Sequence, residues 1–302
     1  MTRRFNRIAP ALLVCGAAST TNAQEAPPQA EPSRLSVTLD GGAQTILEAD
    51  LDGPDATVSV TRADANATIS FQAHERWRFS LDLGTGFLWY DFDGELDLGA
   101  GDILDNARTH DIRFTAIHII DQTWSVVAGG MINASLEDGA DVGDSLTYGG
   151  FGAVGYRANE RLSLRFGAAV RTQLEDNALL LPYIGVQYQL SDTTALRSKG
   201  LGLEFSMQIN DELTASIFAQ YDLHAFRLAD DNPVLSAGVL EDRMIIVGAS
   251  AMWRPDPQWS INATVGTTVW REFSFRNDSS NDLGDVETDT APVLALRASF
   301  DF

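Results

Sequence analysis

The sequence has one cysteine, Cys15, and four histidines, and its 21 basic residues are half as numerous as its 42 acidic ones. A lone cysteine excludes an internal disulfide. A net charge of -21 excludes nucleic acid as a partner, because phosphates need a basic face. No apolar run reaches the roughly eighteen residues of a membrane-spanning helix. Phosphate loops, zinc-ligand spacings and nucleophile elbows are also missing, so no cofactor, no metal and no enzyme activity are expected. The chain is 44% hydrophobic with a mean hydropathy of -0.08, an average that describes a water-soluble protein. That average does not exclude a membrane barrel, whose lipid-facing and lumen-facing residues alternate and cancel.

Residues 1–23 read as a secretory signal peptide. Arg3, Arg4 and Arg7 form its basic start, Ile8 to Ala18 its apolar stretch, and Thr21, Asn22 and Ala23 its small-residue cleavage site. Leu12 to Cys15 hints at a lipoprotein site, but Val14 is bulky before the cysteine. The Arg3-Arg4 pair hints at twin-arginine export, which carries folded cargo and does not suit a barrel precursor. Sec export followed by leader removal is expected. Residues 24–33 are a Pro-rich polar linker. Residues 34–302 are one all-β domain.

The evidence for strands is period two. In Trp77 to Asp93, Phe79, Leu81, Leu83, Phe87 and Trp89 share one face, while Ser80, Asp82, Gly84 and Gly86 share the other. Leu213 to Leu223 repeats the pattern after the Asn210-Asp211 turn, with Asp222 and His224 on the polar face. Similar strands run over 57–73, 108–119, 123–135, 146–157, 161–173, 178–190, 201–209, 244–253 and 259–270. Leu35 to Leu39 is a weak strand whose place in the wall is open. Alternation of direction also requires a short strand near Ala195 to Ser198. Counting both gives about fourteen strands; dropping both gives twelve, but the turns then fail to alternate.

Short turns alternate with longer, acidic loops. Trp77, Trp124, Trp253 and Trp259 lie beside short turns. Trp89, Tyr90, Tyr148, Trp270, Phe273 and Phe275 lie near long ones. A soluble sandwich has no reason to sort tryptophans by turn length. Two aromatic belts are what two membrane interfaces require.

The last ten residues, Val293 to Phe302, complete the argument. Leu294, Leu296, Ala298, Phe300 and Phe302 alternate with small or polar residues, and the chain stops on an aromatic. This stretch resembles the closing strand of porin-like outer-membrane β-barrels of Gram-negative bacteria. The resemblance implies a transmembrane antiparallel barrel with short periplasmic turns and longer extracellular loops. It also implies that Phe300 and Phe302 are read by the barrel-assembly machinery, with outer-membrane lipids and lipopolysaccharide as surroundings.

Facing the lumen, the alternation places Asp82, Asp111, Arg113, Arg165, Arg171, Glu204, Asp222, His224 and Arg297. Buried charges must be wet or paired. Both signs occur, so a water-filled channel and a closed, paired lumen both remain open. The leading expectation is a passive channel for small hydrophilic solutes. A mild cation preference would come from mouth acids such as Glu95, Asp97, Asp102, Glu137, Asp138, Asp144 and Asp285, which few bases oppose. A closed structural barrel is the alternative. A remoter one is an omptin-like surface protease using Asp222 and His224, with Asp91 and Asp93 as its acid pair.

Overall fold

The computed structural model describes residues 35–53, 55–94 and 103–302. The expected signal peptide and linker, Cys15 and the loop acids Glu95, Asp97 and Asp102 lie outside the described residues.

The described elements are all strands. The first eight are β1 (Leu35–Asp50), β2 (Ala56–His74), β3 (Trp77–Gly94), β4 (Asn106–Ile119), β5 (Trp124–Glu137), β6 (Leu146–Arg157), β7 (Leu162–Gln173) and β8 (Asp176–Gln189). They are followed by β9 (Thr194–Lys199), β10 (Leu201–Gln208), β11 (Leu213–Arg227), β12 (Val239–Trp253), β13 (Trp259–Arg276), β14 (Asp282–Glu287) and β15 (Pro292–Asp301). Successive strands pair antiparallel from β1 to β13, and β15 pairs with β13. β15 also pairs with β1, from Thr38 opposite Asp301 to Ile46 opposite Val293, so the sheet closes on itself. β14 pairs only with β13 and belongs to the loop before β15. The wall is therefore a closed fourteen-stranded antiparallel barrel, which leaves no edge at the seam between first and last strands.

Both uncertain strands are in the wall. β1 runs for 16 residues, straight through Gly41 and Gly42 and the acidic stretch that follows. Gly42 has a local reason: a Cβ there would lie 2.8 Å from the Leu296 carbonyl oxygen of β15. β9 supplies the short strand that alternation requires.

The outer surface is apolar between two belts. Trp77, Trp89, Trp124, Trp253 and Trp259 are between 41% and 48% exposed. Trp270 is half-buried and stacks on Tyr221 at 6.4 Å. Tyr90, Phe273 and Phe275 do not join the upper belt. They are buried inside the barrel. For Tyr90, the even-numbered face of β3 is the inner one. For the two phenylalanines, a bulge is responsible: Ile245 pairs with Trp270 but Ile246 pairs with Thr268, leaving Val269 unopposed. An extra residue reverses which parity faces inward beyond it.

Several upper connections are short rather than long: Leu51 to Asp55, Leu174-Glu175, and Gly200 alone. The strands β11, β12 and β13 also extend several residues above the Tyr221–Trp270 level. There they lean across the mouth. β6 pairs with β5 only as far as Ala134, and Arg227 of β11 takes the next place beside β5, opposite Leu136. The upper perimeter is thus shorter than the lower one.

Candidate functional site

Inward side chains from many strands converge in the lumen, which has two unlike parts. The first is a filled compartment under the mouth. Ile46, Val58, Val60, Leu88, Tyr90 and Phe92 from β1–β3 pack on Phe226, Leu240, Met244, Phe273 and Phe275 from β11–β13. Ile103, Leu104, Leu228 and Leu235 from the loops cap them. Phe92 meets Phe273 edge-on at 5.5 Å, and Tyr90 meets Phe226 at 5.9 Å. Each such side chain, moved out of water, contributes roughly 1.5–3 kcal/mol.

A charged cluster sits within that compartment. Asp242 is fully buried and accepts hydrogen bonds from Arg271 Nε and Nη2, both at 2.9 Å. It also accepts from Arg62 Nη2 at 3.1 Å and from the Tyr90 hydroxyl at 3.0 Å. Arg62 Nη1 lies 3.0 Å from His224 Nε2, and Arg271 lies over the Phe273 ring at 4.5 Å. One carboxylate thus ties together β2, β3, β12 and β13. Sequence reasoning missed Arg62, Asp242 and Arg271. Parity would have shown that Arg62 and Asp242 face inward, but it places Arg271 outward, because the bulge at Val269 reverses the face beyond it. Nor does parity show that an apolar cluster closes round them.

The second part is wet. Arg297 reaches inward from β15 and binds both Asp40 and Asp64, the latter at 2.7 Å, yet its side chain stays 45% exposed. Next along the wall, Thr68 donates to Asp82 at 2.7 Å, and Asn133 donates to Asp111 at 2.8 Å. Arg113 stands opposite Asp82, and Arg165 and Arg171 share its inner face on β7. Glu204 is held by Arg197 Nε at 2.8 Å and Lys199 at 2.9 Å. Arg197 remains 53% exposed although it points inward. Gln220 donates to Asp222 at 2.7 Å.

The sequence-predicted lumen residues therefore do face inward, but they do not form one site. Eight of the nine lie outside the filled compartment, Glu204 only 2% exposed where Arg197 and Lys199 hold it. His224 belongs to the filled compartment instead, stacked on Phe226 with Arg62 at its Nε2. That placement removes the protease arrangement. Asp222 bonds Gln220 rather than orienting the imidazole, and Asp91 and Asp93 lie exposed on the opposite face of the wall.

At the mouth, acids are opposed more than the sequence suggests. Arg108 pairs with Asp138 at 2.8 Å, Arg276 with Asp176 at 3.4 Å, and Arg243 with Glu272 at 3.2 Å. Glu137 accepts from Asn232 at 3.0 Å and from the Ala229 amide at 2.7 Å, which pins the 228–238 loop. Arg227 gathers Glu175 at 2.5 Å together with the carbonyls of Asp144 and Ala237.

The family described as "Domain of unknown function (DUF6268)" matches residues 108–295. That is more than half of the sequence, and the chain belongs to this family. No curated protein matches it. Among solved structures, the COG4313 outer membrane channel from Pseudomonas putida F1 aligns with a TM-score of 0.50 at 10% identity, over 92% of this chain and 100% of that one. A Pseudomonas aeruginosa FadL homologue aligns with a TM-score of 0.50 at 11% identity, over 88% and 90%. At these identities the likeness establishes the barrel fold.

Proposed function

We propose that this member of the DUF6268 family is a passive outer-membrane channel for small hydrophilic solutes, with a mild preference for cations. It reaches that membrane by Sec export and leader cleavage, and it closes there on the strand that ends at Phe302. One observation carries the reading: charged side chains aimed into the lumen remain half exposed, notably Arg197 and Arg297. A lumen filled by its own side chains would bury them. Along β4 to β10 the inner face carries both signs, Asp111 and Glu204 with Arg113 and Arg165. Charges of both signs offer a polar solute partners without holding one ion tightly.

The cation preference rests on mouth acids that have no basic partner among the described residues, such as Asp230, Asp231 and Asp289. Screening within about 8 Å at physiological salt keeps that preference small. A second reading, a closed structural barrel, is favoured by the filled compartment.

Planar-bilayer recording on the purified full-length chain decides between them. A salt gradient should give steady conductance and a reversal potential on the cation side. An anion-side potential refutes the charge argument, and absence of current gives the closed barrel. Heat-dependent gel mobility in detergent checks insertion independently. A monodisperse folded state without detergent would refute the membrane assignment.

A further inference from the structure

The wall has a seam that its neighbours do not close. β8 is 14 residues long and pairs with β7 along its length, but it pairs with β9 only at Gln187, Tyr188 and Gln189. The β9–β10 hairpin then turns at Gly200, whose φ of 55° is the left-handed region a tight turn needs. On the far side, β11 pairs with β10 only as far as Tyr221.

The direction of the β8 backbone groups follows from its bonds. In an antiparallel strand, alternate residues turn both N–H and C=O to one neighbour and the rest turn to the other. The Gln189 amide donates to Arg161 before β7, the Leu190 amide to Thr194, and the Val186 amide to Ser198 Oγ. Even-numbered residues therefore face β9. Leu180, Pro182 and Ile184 continue that row above the last pair, where no strand of the described residues faces them. Proline is the residue a strand tolerates on an unpaired edge, since it has no N–H to satisfy. Leu180 and Ile184 are 71% and 72% exposed, the two most exposed large apolar side chains among the described residues.

These positions lie within the apolar zone. Ile184 is level with Phe166 and Val154, and Leu180 with Val170, all of them outward and exposed, below Tyr148. Lipid offers no partner to a strand edge, so open edges do not persist at that depth unless they line a cavity. The aperture has a sill at Lys199 to Leu201 and sides at β8 and upper β11. The Arg227–Glu175 ion pair joins those sides above it. Behind the β8 side, the inner wall is apolar: Met131, Phe151, Ala169, Leu179 and Leu181 form one cluster facing the lumen. Elsewhere the wet part is charged.

We propose that this seam is a lateral portal through which small uncharged apolar solutes pass between the lumen and the surrounding leaflet. The portal is separate from the axial ion route and does not depend on whether ions cross. The apolar cluster gives such a solute a surface to rest on after it leaves the bilayer. The unpaired backbone of Leu180 to Ile184 is then satisfied by lumen water.

The test uses the full-length protein in lipid nanodiscs. Hydrogen exchange at Leu180 and Ile184 should be as fast as in the Ser279 loop, while Phe166 on the adjoining strand stays protected. A lipid-soluble photoreactive probe, phenyl trifluoromethyl diazirine, should label inward-facing Phe151 and Leu181 as well as lipid-facing Ile217. Lengthening the hairpin, with Thr-Val inserted before Gly200 and Val-Thr after it, should protect Ile184. It should also cut the inward labelling several-fold and leave Ile217 labelling and ion conductance unchanged. Protected Leu180 and Ile184 amides in the natural chain mean a closed seam and overturn the proposal. So does labelling confined to Ile217, and both outcomes are read without any variant.

Discussion

Asp242 on β12 and Arg62 on β2 lie 180 residues apart and meet at 3.1 Å inside the barrel, out of reach of solvent. The pair joins opposite sides of the sheet, and Arg271 completes it from β13. Two guanidinium groups therefore depend on one carboxylate.

Asp242→Asn should be strongly destabilising for that reason. Removing one partner of a buried ion pair costs about 3–5 kcal/mol, because the remaining charge has no solvent to return to. The expected outcome is a lower temperature for conversion of the compact to the unfolded gel band. An unchanged conversion temperature would show that water reaches Arg62 and Arg271.

Arg297→Gln should make the channel more cation-selective. Arg297 neutralises Asp40 and Asp64 at the periplasmic end of the wet part, and its loss leaves two carboxylates facing solvent. The reversal potential under a salt gradient should move further to the cation side, and the shift should shrink as salt rises. A move to the anion side would place the constriction elsewhere.

Arg227→Met should loosen the mouth without unfolding the wall. The guanidinium holds Glu175 and the carbonyls of Asp144 and Ala237, so its loss frees three segments together. Hydrogen exchange should accelerate at Leu228 and Ala237, while Ile217 and Val247 in the wall keep their protection. Uniform acceleration would mean that the bridge supports the whole barrel.

Deleting Phe302 should reduce membrane insertion more than a Ser280→Lys change in the preceding loop. The Phe302 amide bonds the Val37 carbonyl at 2.8 Å, and Phe300 packs on Trp259 with ring centres 4.6 Å apart. The end of the chain thus fastens the seam between β15 and β1. Equal yields of heat-modifiable protein from both variants would count against this role.

The lower half of the barrel was legible in the sequence because it obeys one rule. Outward apolar and inward polar residues alternate from Trp77 to Gly86, and from Leu213 to Asp222 with Phe218 as the inward exception. Above that level the rule breaks, and the break is itself written in the residues. Phe87, Leu88, Trp89, Tyr90 and Phe92 are apolar on both faces of β3, which is how a strand covered on both sides reads. The filled compartment was foreshadowed there. The bulge at Val269 was not, since an unopposed residue is defined only by the partner strand. The same holds for the cluster at Asp242, which needs four strands to exist, and for the seam at Pro182, where only the proline gave a sign.

The filled compartment also carries information about order in time. Ile103 and Leu104 leave the ribosome long before Phe226, Phe273 and Phe275, the side chains that cover them. The seam waits too, because β1 has no partner on one edge until β15 arrives. A chain interrupted before its last hundred or so residues would present sticky loops and an open sheet together, the combination that makes an incomplete barrel prone to aggregate. Closing the ring and packing its contents therefore draw on the same late-arriving strands, β11 to β15.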